Sequence, residues 1–260
     1  MKALRKIGIL AAAAAAVIGI TGCQNNAGAG GTPDSKKPDS PSQSTVPKDF
    51  VKVPGASIKG TESWTPYSYV FVGDRALEIK SFYMSDHEVT RAEYNDVMES
   101  LPDNMAKAHD KDGNELTGDK VGKNPVNKVS WYDAIVYCNK RSIKEKLTPC
   151  YTIGGKTNPD EWGAVPSSED STWNAAACDF NANGYGLYDM SGNVYEWCWD
   201  WYGNVTSATP PAGPSSGSDR RNCGGSWYNF ASNAKVSNRS FRTPHLRAYP
   251  NGFRVVRSTN

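Results

Sequence analysis

Six cysteines, at 23, 138, 150, 178, 198 and 223, and three histidines, at 87, 109 and 245, are the residues with the widest chemical range in this chain. Thiolates bind soft metals, act as nucleophiles or pair as disulfides. The three histidines are scattered, so a histidine-rich metal site is excluded. From Arg220 to the C-terminus there are eight Lys or Arg and no Asp or Glu. Such a run either pairs with acidic residues elsewhere in the domain or forms an anion site, and pairing is the preferred reading.

Cys23 has its own explanation. Lys2, Arg5 and Lys6 precede an apolar run over residues 7–20, and Thr21-Gly22-Cys23 follows directly. This is an export signal with a lipoprotein-type cleavage box, so residues 1–22 form a leader and Cys23 the lipidated N-terminus. Five cysteines then remain, an odd number for an oxidising compartment, and at least one stays free or pairs outside the chain. Cys198 and Cys223 fall on successive predicted core strands, where they could bridge or remain buried thiols.

The elements that position these residues begin with a tether. Residues 23–49 are Gly-, Pro- and Ser-rich and cannot bury enough surface to fold. Residues 50–260 fit one domain. Without the leader the charge balance is 26 basic to 27 acidic residues, which argues against nucleic acid as a partner. Strands are predicted over residues 50–60 and 77–88. Thr90-Arg91-Ala92-Glu93 is a capping box opening a helix whose apolar face is Tyr94, Val97, Met98 and Leu101, stopped by Pro102. Residues 103–123 read as a loop, and Ser130 to Asp133 caps a second helix with Ala134, Ile135 and Cys138 on its apolar face. In residues 194–201, Tyr195, Trp197, Trp199 and Trp201 alternate with Val194, Glu196, Cys198 and Asp200, a strand with a wholly aromatic face.

GLYDMSGNVYEWCWDWY, GGSW at 224–227 and GFRVVRS at 252–258 together resemble the formylglycine-generating-enzyme or sulfatase-modifying-factor domain, a branch of the C-type-lectin fold. FYMSDHEVTRAEY and PVNKVSWYDAIVYCNKRS carry the same resemblance. It implies an α+β fold with two helices, a small twisted antiparallel sheet and much loop. A long insert usual in the family is missing between FNANGY and GLYDMSGN. The resemblance also implies a structural Ca2+ held by Asp189 and Glu196 with the carbonyls of Gly192 and Val194. The alternative is that Asp189 caps a turn and Glu196 pairs with a late arginine. Family oxidases hold Cu(I) between two cysteines just after GGSW, and the corresponding residues are Asn229 and Ala234. No copper and no catalytic residue are therefore expected.

Residues 224–254 resemble the variable region of retroelement-diversified proteins such as the treponemal variable lipoprotein, in which adenines of Asn codons are mutated. The pattern makes Tyr228, Asn229, Phe230, Ser240, Phe241, Arg242, Thr243, His245, Leu246, Ala248, Tyr249 and Pro250 the variable, ligand-binding positions. Trp227, Ala231, Asn233, Asn238, Arg239, Pro244, Arg247, Gly252, Phe253 and Arg254 would be fixed. Adenine mutation of an AAY codon cannot yield Lys, Glu, Gln, Trp or Met, and none of the twelve positions holds one. The expectation is a monomeric lipoprotein of the bacterial envelope, anchored through Cys23 to the outer membrane and displaying a surface for an unidentified macromolecular ligand. The rivals are a formylglycine-generating-type oxidase and an envelope module of fixed specificity.

Overall fold

A computed structural model describes residues 7–9, 46–59, 73–110, 112–177, 193–210, 213–230 and 239–258. Both capping boxes form as the sequence predicts. Helix α1, Arg91–Met98, starts at Thr90, whose hydroxyl accepts from the Glu93 amide at 3.2 Å while the Glu93 carboxylate accepts from the Thr90 amide at 2.9 Å. It ends earlier than predicted: Glu99 adopts a left-handed φ of 61°, so Leu101 lies beyond the helix and is exposed. A short helix α2, Asp119–Gly122, interrupts the predicted loop. Helix α3, Trp131–Lys144, is capped by Ser130 and Asp133 and runs through the core with Trp131, Ile135, Tyr137 and Cys138 buried. Tyr94 of α1 stacks on Tyr137 of α3 at 5.6 Å, and Phe253 meets both rings edge-on. A last short helix, α4, is Ser171–Asn174.

Among the described residues the strands form three small sheets. One has the order β1 (Ile7–Ile9), β10 (Val255–Ser258), β5 (Phe82–Ser85), β2 (Phe50–Val53), all antiparallel. Residues 7–9 belong to the segment read above as a leader, and in the full chain they pair with β10. A hairpin joins β3 (Ala56–Lys59) and β4 (Ala76–Ile79). The third sheet has the order β8 (Arg239–Arg242), β7 (Arg220–Cys223), β6 (Tyr195–Trp201), β9 (Asn251–Gly252), with β6 and β9 parallel.

Strand β6 organises the core. Trp197 is fully buried and its indole donates to the Val129 carbonyl at 2.9 Å; Trp131 donates to the Cys198 carbonyl at 3.2 Å. The Arg220 guanidinium lies 3.5 Å from the Trp201 ring centre and 3.9 Å from that of Trp131. Burial pushes its pKa down to about 9, and cation–π contact with donation to the Trp199 and Asn174 carbonyls takes the place of a counterion. The opposite face of β6 is buried too, with Glu196, Cys198 and Asp200 inside. Late arginines pair with the two β6 acids, Arg254 with Glu196 and Arg239 with Asp200, and with two acids of α3, Arg247 with Asp133 and Arg257 with Glu145 at the helix C-cap. The basic run is therefore largely structural.

Candidate ligand-binding surface

Two turns and an outer strand carry the C-terminal positions singled out by the sequence. Gly224 and Gly225 take φ of 92° and 74°, conformations that a side chain would strain, and turn the chain after β7. The Trp227 amide then donates to the Asn193 carbonyl at 2.8 Å, while the Asn229 amide and side chain both engage Ser226. With its backbone held there, the segment projects its rings: Trp227 is 57%, Tyr228 73% and Phe230 86% exposed. Trp227 and Tyr228 meet edge-on at 5.6 Å.

Strand β8 carries Ser240, Phe241 and Arg242, and Phe241 stacks on Tyr202 at 4.0 Å between ring centres. Arg221 covers the Tyr202 ring at 4.3 Å. The following loop is pinned at its fixed residues. The buried Pro244 accepts from the Trp131 amide at 2.8 Å, and Arg247 makes two 2.8 Å hydrogen bonds to Asp133, the carboxylate that caps α3. That pairing holds the Arg247 pKa above its ordinary value. Between the pins lie Thr243, His245, Leu246 and Ala248. Tyr249 lies under Lys128 at 4.3 Å, and the Pro250 carbonyl accepts from the Tyr195 amide at 2.7 Å.

None of the twelve positions expected to vary is buried. Among those expected to be fixed, Pro244, Gly252, Phe253 and Arg254 are buried and the Arg239 side chain is 4% exposed. Trp227 is exposed although fixed in the pattern, and the Arg247 side chain is 35% exposed. Ala231, Asn233, Ala234 and Asn238 lie outside the described residues. Sequence reasoning missed Tyr202 and Lys128. Tyr202 ends the aromatic run of β6, a signal that could have found it, whereas Lys128 sits in a loop at φ 58° with no local pattern.

The metal expectations meet specific side chains. Asn229, the residue that the resemblance sets at a copper-thiolate position, carries an amide whose oxygen accepts from the Ser226 hydroxyl, and an amide does not fit Cu(I). Glu196 accepts from the Arg254 Nε and Nη2 at 2.9 Å, with both side chains buried. For that residue the ion-pair alternative is the one present, since a guanidinium already supplies the positive charge. The Val194 side chain is buried against Gly252, and Asp189, Gly192 and Cys23 lie outside the described residues. Among the described residues no group of three or more His, Cys, Asp or Glu is arranged to hold a metal. Cys138, Cys198 and Cys223 are buried free thiols, with Cys198 Sγ donating to the Glu196 carbonyl at 3.6 Å, while Cys150 is in a disulfide. Cys138 and its burial keep that thiol protonated well above the ordinary range.

Comparison with known proteins follows the same lines. The profile of the sulfatase-modifying factor enzyme 1-like domain matches residues 36–153 and 150–259. The chain is 30% identical to the chaperone protein LppX of Paenibacillus barcinonensis, over 82% of this chain and 91% of that protein. It is 33% identical to the formylglycine-generating enzyme of Mus musculus, over 51% of this chain and 44% of the enzyme. Among solved structures, Treponema denticola variable protein 1 superposes with a TM-score of 0.65 at 26% identity, covering 80% of this chain and 94% of that one. No helix among the described residues is long and apolar enough to cross a membrane.

Proposed function

The chain belongs to the family of the sulfatase-modifying factor enzyme 1-like domain, and from that premise we propose that it binds a ligand without turning it over. It is a lipid-anchored display protein of the bacterial envelope, tethered through Cys23, whose C-terminal region is diversified by a retroelement. The observation that carries this reading is the partition of residues 227–254. Every position that the codon pattern makes variable is at least partly exposed, while Pro244 among them and Phe253 and Arg254 just after them are buried in the scaffold. A surface can change its specificity only if the residues that change are not those that hold it up.

The chemistry of the surface suits recognition. Tyr228, Phe230, Phe241 and Tyr249 offer large rings at little entropic cost, and Asn229, Ser240, Thr243 and His245 offer adaptable hydrogen bonding. The Arg247–Asp133 pair and the Trp131–Pro244 hydrogen bond hold the loop in shape before a ligand arrives, which lowers the ordering cost of binding. Similarity to proteins named a variable protein and a chaperone fits binding, and Asn229 at a thiolate position argues against copper-dependent oxidation. The test is incubation of the purified protein, loaded with copper, with a cysteine-containing peptide of the sulfatase type. Mass spectrometry should find the peptide unchanged; conversion of its cysteine to formylglycine would overturn the reading.

A further inference from the structure

Beside the variable surface, under the exposed face of Trp227, lies a cavity of about 470 Å³ bounded by α1, the 106–110 loop and residues 124–127. Its floor includes Arg91, only 6% exposed. The Arg91 Nη2 donates to the Ala106 carbonyl at 2.6 Å, but its buried Nε has no hydrogen-bond partner, and no carboxylate among the described residues pairs with the guanidinium. A buried cation without a counterion is costly, and burial pulls its pKa down accordingly. The other charges at the rim are spoken for. Lys107 is bound to Glu115 at 2.7 Å, and Asp110 accepts from the Asp112 and Asn114 amides of its own turn. Ala106, Ala108, Pro125, Val194 and the Trp227 indole give the cavity apolar walls.

Resting on the binding role proposed above, we propose that this cavity is the constant anchor of the binding surface and takes a carboxylate on an apolar stem, as at the C-terminal residue of a peptide or protein ligand. The carboxylate pairs with the Arg91 guanidinium, and the stem packs against Trp227 and Val194. An apolar stem suits the part of the wall formed by Ala106, Ala108, Pro125, Val194 and Trp227, and a sugar acid, whose hydroxyls would turn to Asn124, Asn127 and Asn193, is the competing occupant that the titration separates. This also accounts for Trp227, exposed although the pattern fixes it: it belongs to the anchor, while its neighbour Tyr228 belongs to the changing surface.

The experiment follows the Trp227 indole and Arg91 Nε resonances in the 15N-labelled full chain during titration with N-acetylphenylalanine, its amide and glucuronate. Saturable shifts at both groups, with a Kd on the order of 1 mM for the carboxylate, at least tenfold weaker for the amide and for glucuronate, are expected. Trp227→Ala, an exposed position that leaves the fold intact, should weaken binding several-fold, and Arg91→Met should abolish it. No saturation well above that concentration, equal binding of the amide, tighter binding of glucuronate, or unchanged affinity in Trp227→Ala would each overturn the proposal. Because all contacts are with fixed residues, none of these outcomes bears on diversification or on copper chemistry.

Discussion

Replacing Arg254 by Met keeps side-chain length and removes the charge that answers Glu196. The carboxylate, 4% exposed, would lose two partners at 2.9 Å, and the Ser85 carbonyl would lose a donor at 3.0 Å. Removing one member of a buried ion pair costs about 3–5 kcal/mol, most of it the stranded charge. For a domain of this size each kcal/mol moves Tm by roughly 2–4 °C, so a fall of about 6–20 °C is expected. The double variant Arg254→Met with Glu196→Gln strands neither charge and should recover most of the loss. Tryptophan fluorescence during thermal and urea unfolding reads the effect, with Ca2+ and with EDTA. Wild-type Tm should be insensitive to chelation at this site. A change within about 1 kcal/mol in Arg254→Met, or an EDTA-induced fall that Glu196→Gln abolishes, would refute the ion pair and restore Glu196 as a calcium ligand.

Other consequences are more local. The hydrogen bond to Glu93, with Asp86 adding to it against the cost of burial, raises the His87 pKa to about 9. A raised folded-state pKa means full stabilisation below the unfolded value of about 6.5 and its loss as pH rises through 9. The unfolding free energy of wild type from urea titration should therefore exceed that of His87→Gln at pH 6, by about 1–2 kcal/mol after discounting for the partly exposed ring, and match it near pH 10. At Gly252 a Cβ would come within 2.7 Å of the Val126 carbonyl and 2.8 Å of a Val194 methyl, so Gly252→Ala should lower the unfolding free energy, read from urea titration, by about 1–3 kcal/mol. Tyr228→Ala and Phe230→Ala should leave stability within about 0.5 kcal/mol while weakening capture of a cognate ligand selected from a peptide or protein library.

Much of this fold is legible because its signals are local. The capping boxes at Thr90 and Ser130 and the aromatic alternation of β6 each act within a few residues, and each appears where the sequence puts it. Burial of β6 on its second face is not legible, since it depends on which distant arginines arrive: Arg239 and Arg254 are far from Asp200 and Glu196 in sequence, and only the sheet register brings them together. For the same reason the sequence left Glu196 divided between a cation and an ion pair. The placement of the variable positions came from their spacing relative to GGSW and GFR. The stacking of Phe241 on Tyr202 and the cavity around Arg91 came from tertiary contacts between segments separated by loops. An early stop at Glu99 has a local cause, a left-handed residue ahead of Pro102, that apolar periodicity through Leu101 masked.

The most direct measurement is the sequence of the 3′ end of this gene across many independent isolates. Substitutions confined to the twelve codons between Tyr228 and Pro250, with the codons for GGSW, Pro244, Arg247 and GFR unchanged, are the expected result. Invariance at those twelve, or changes spread evenly along the chain, would contradict a diversified binder and leave an envelope protein of fixed specificity.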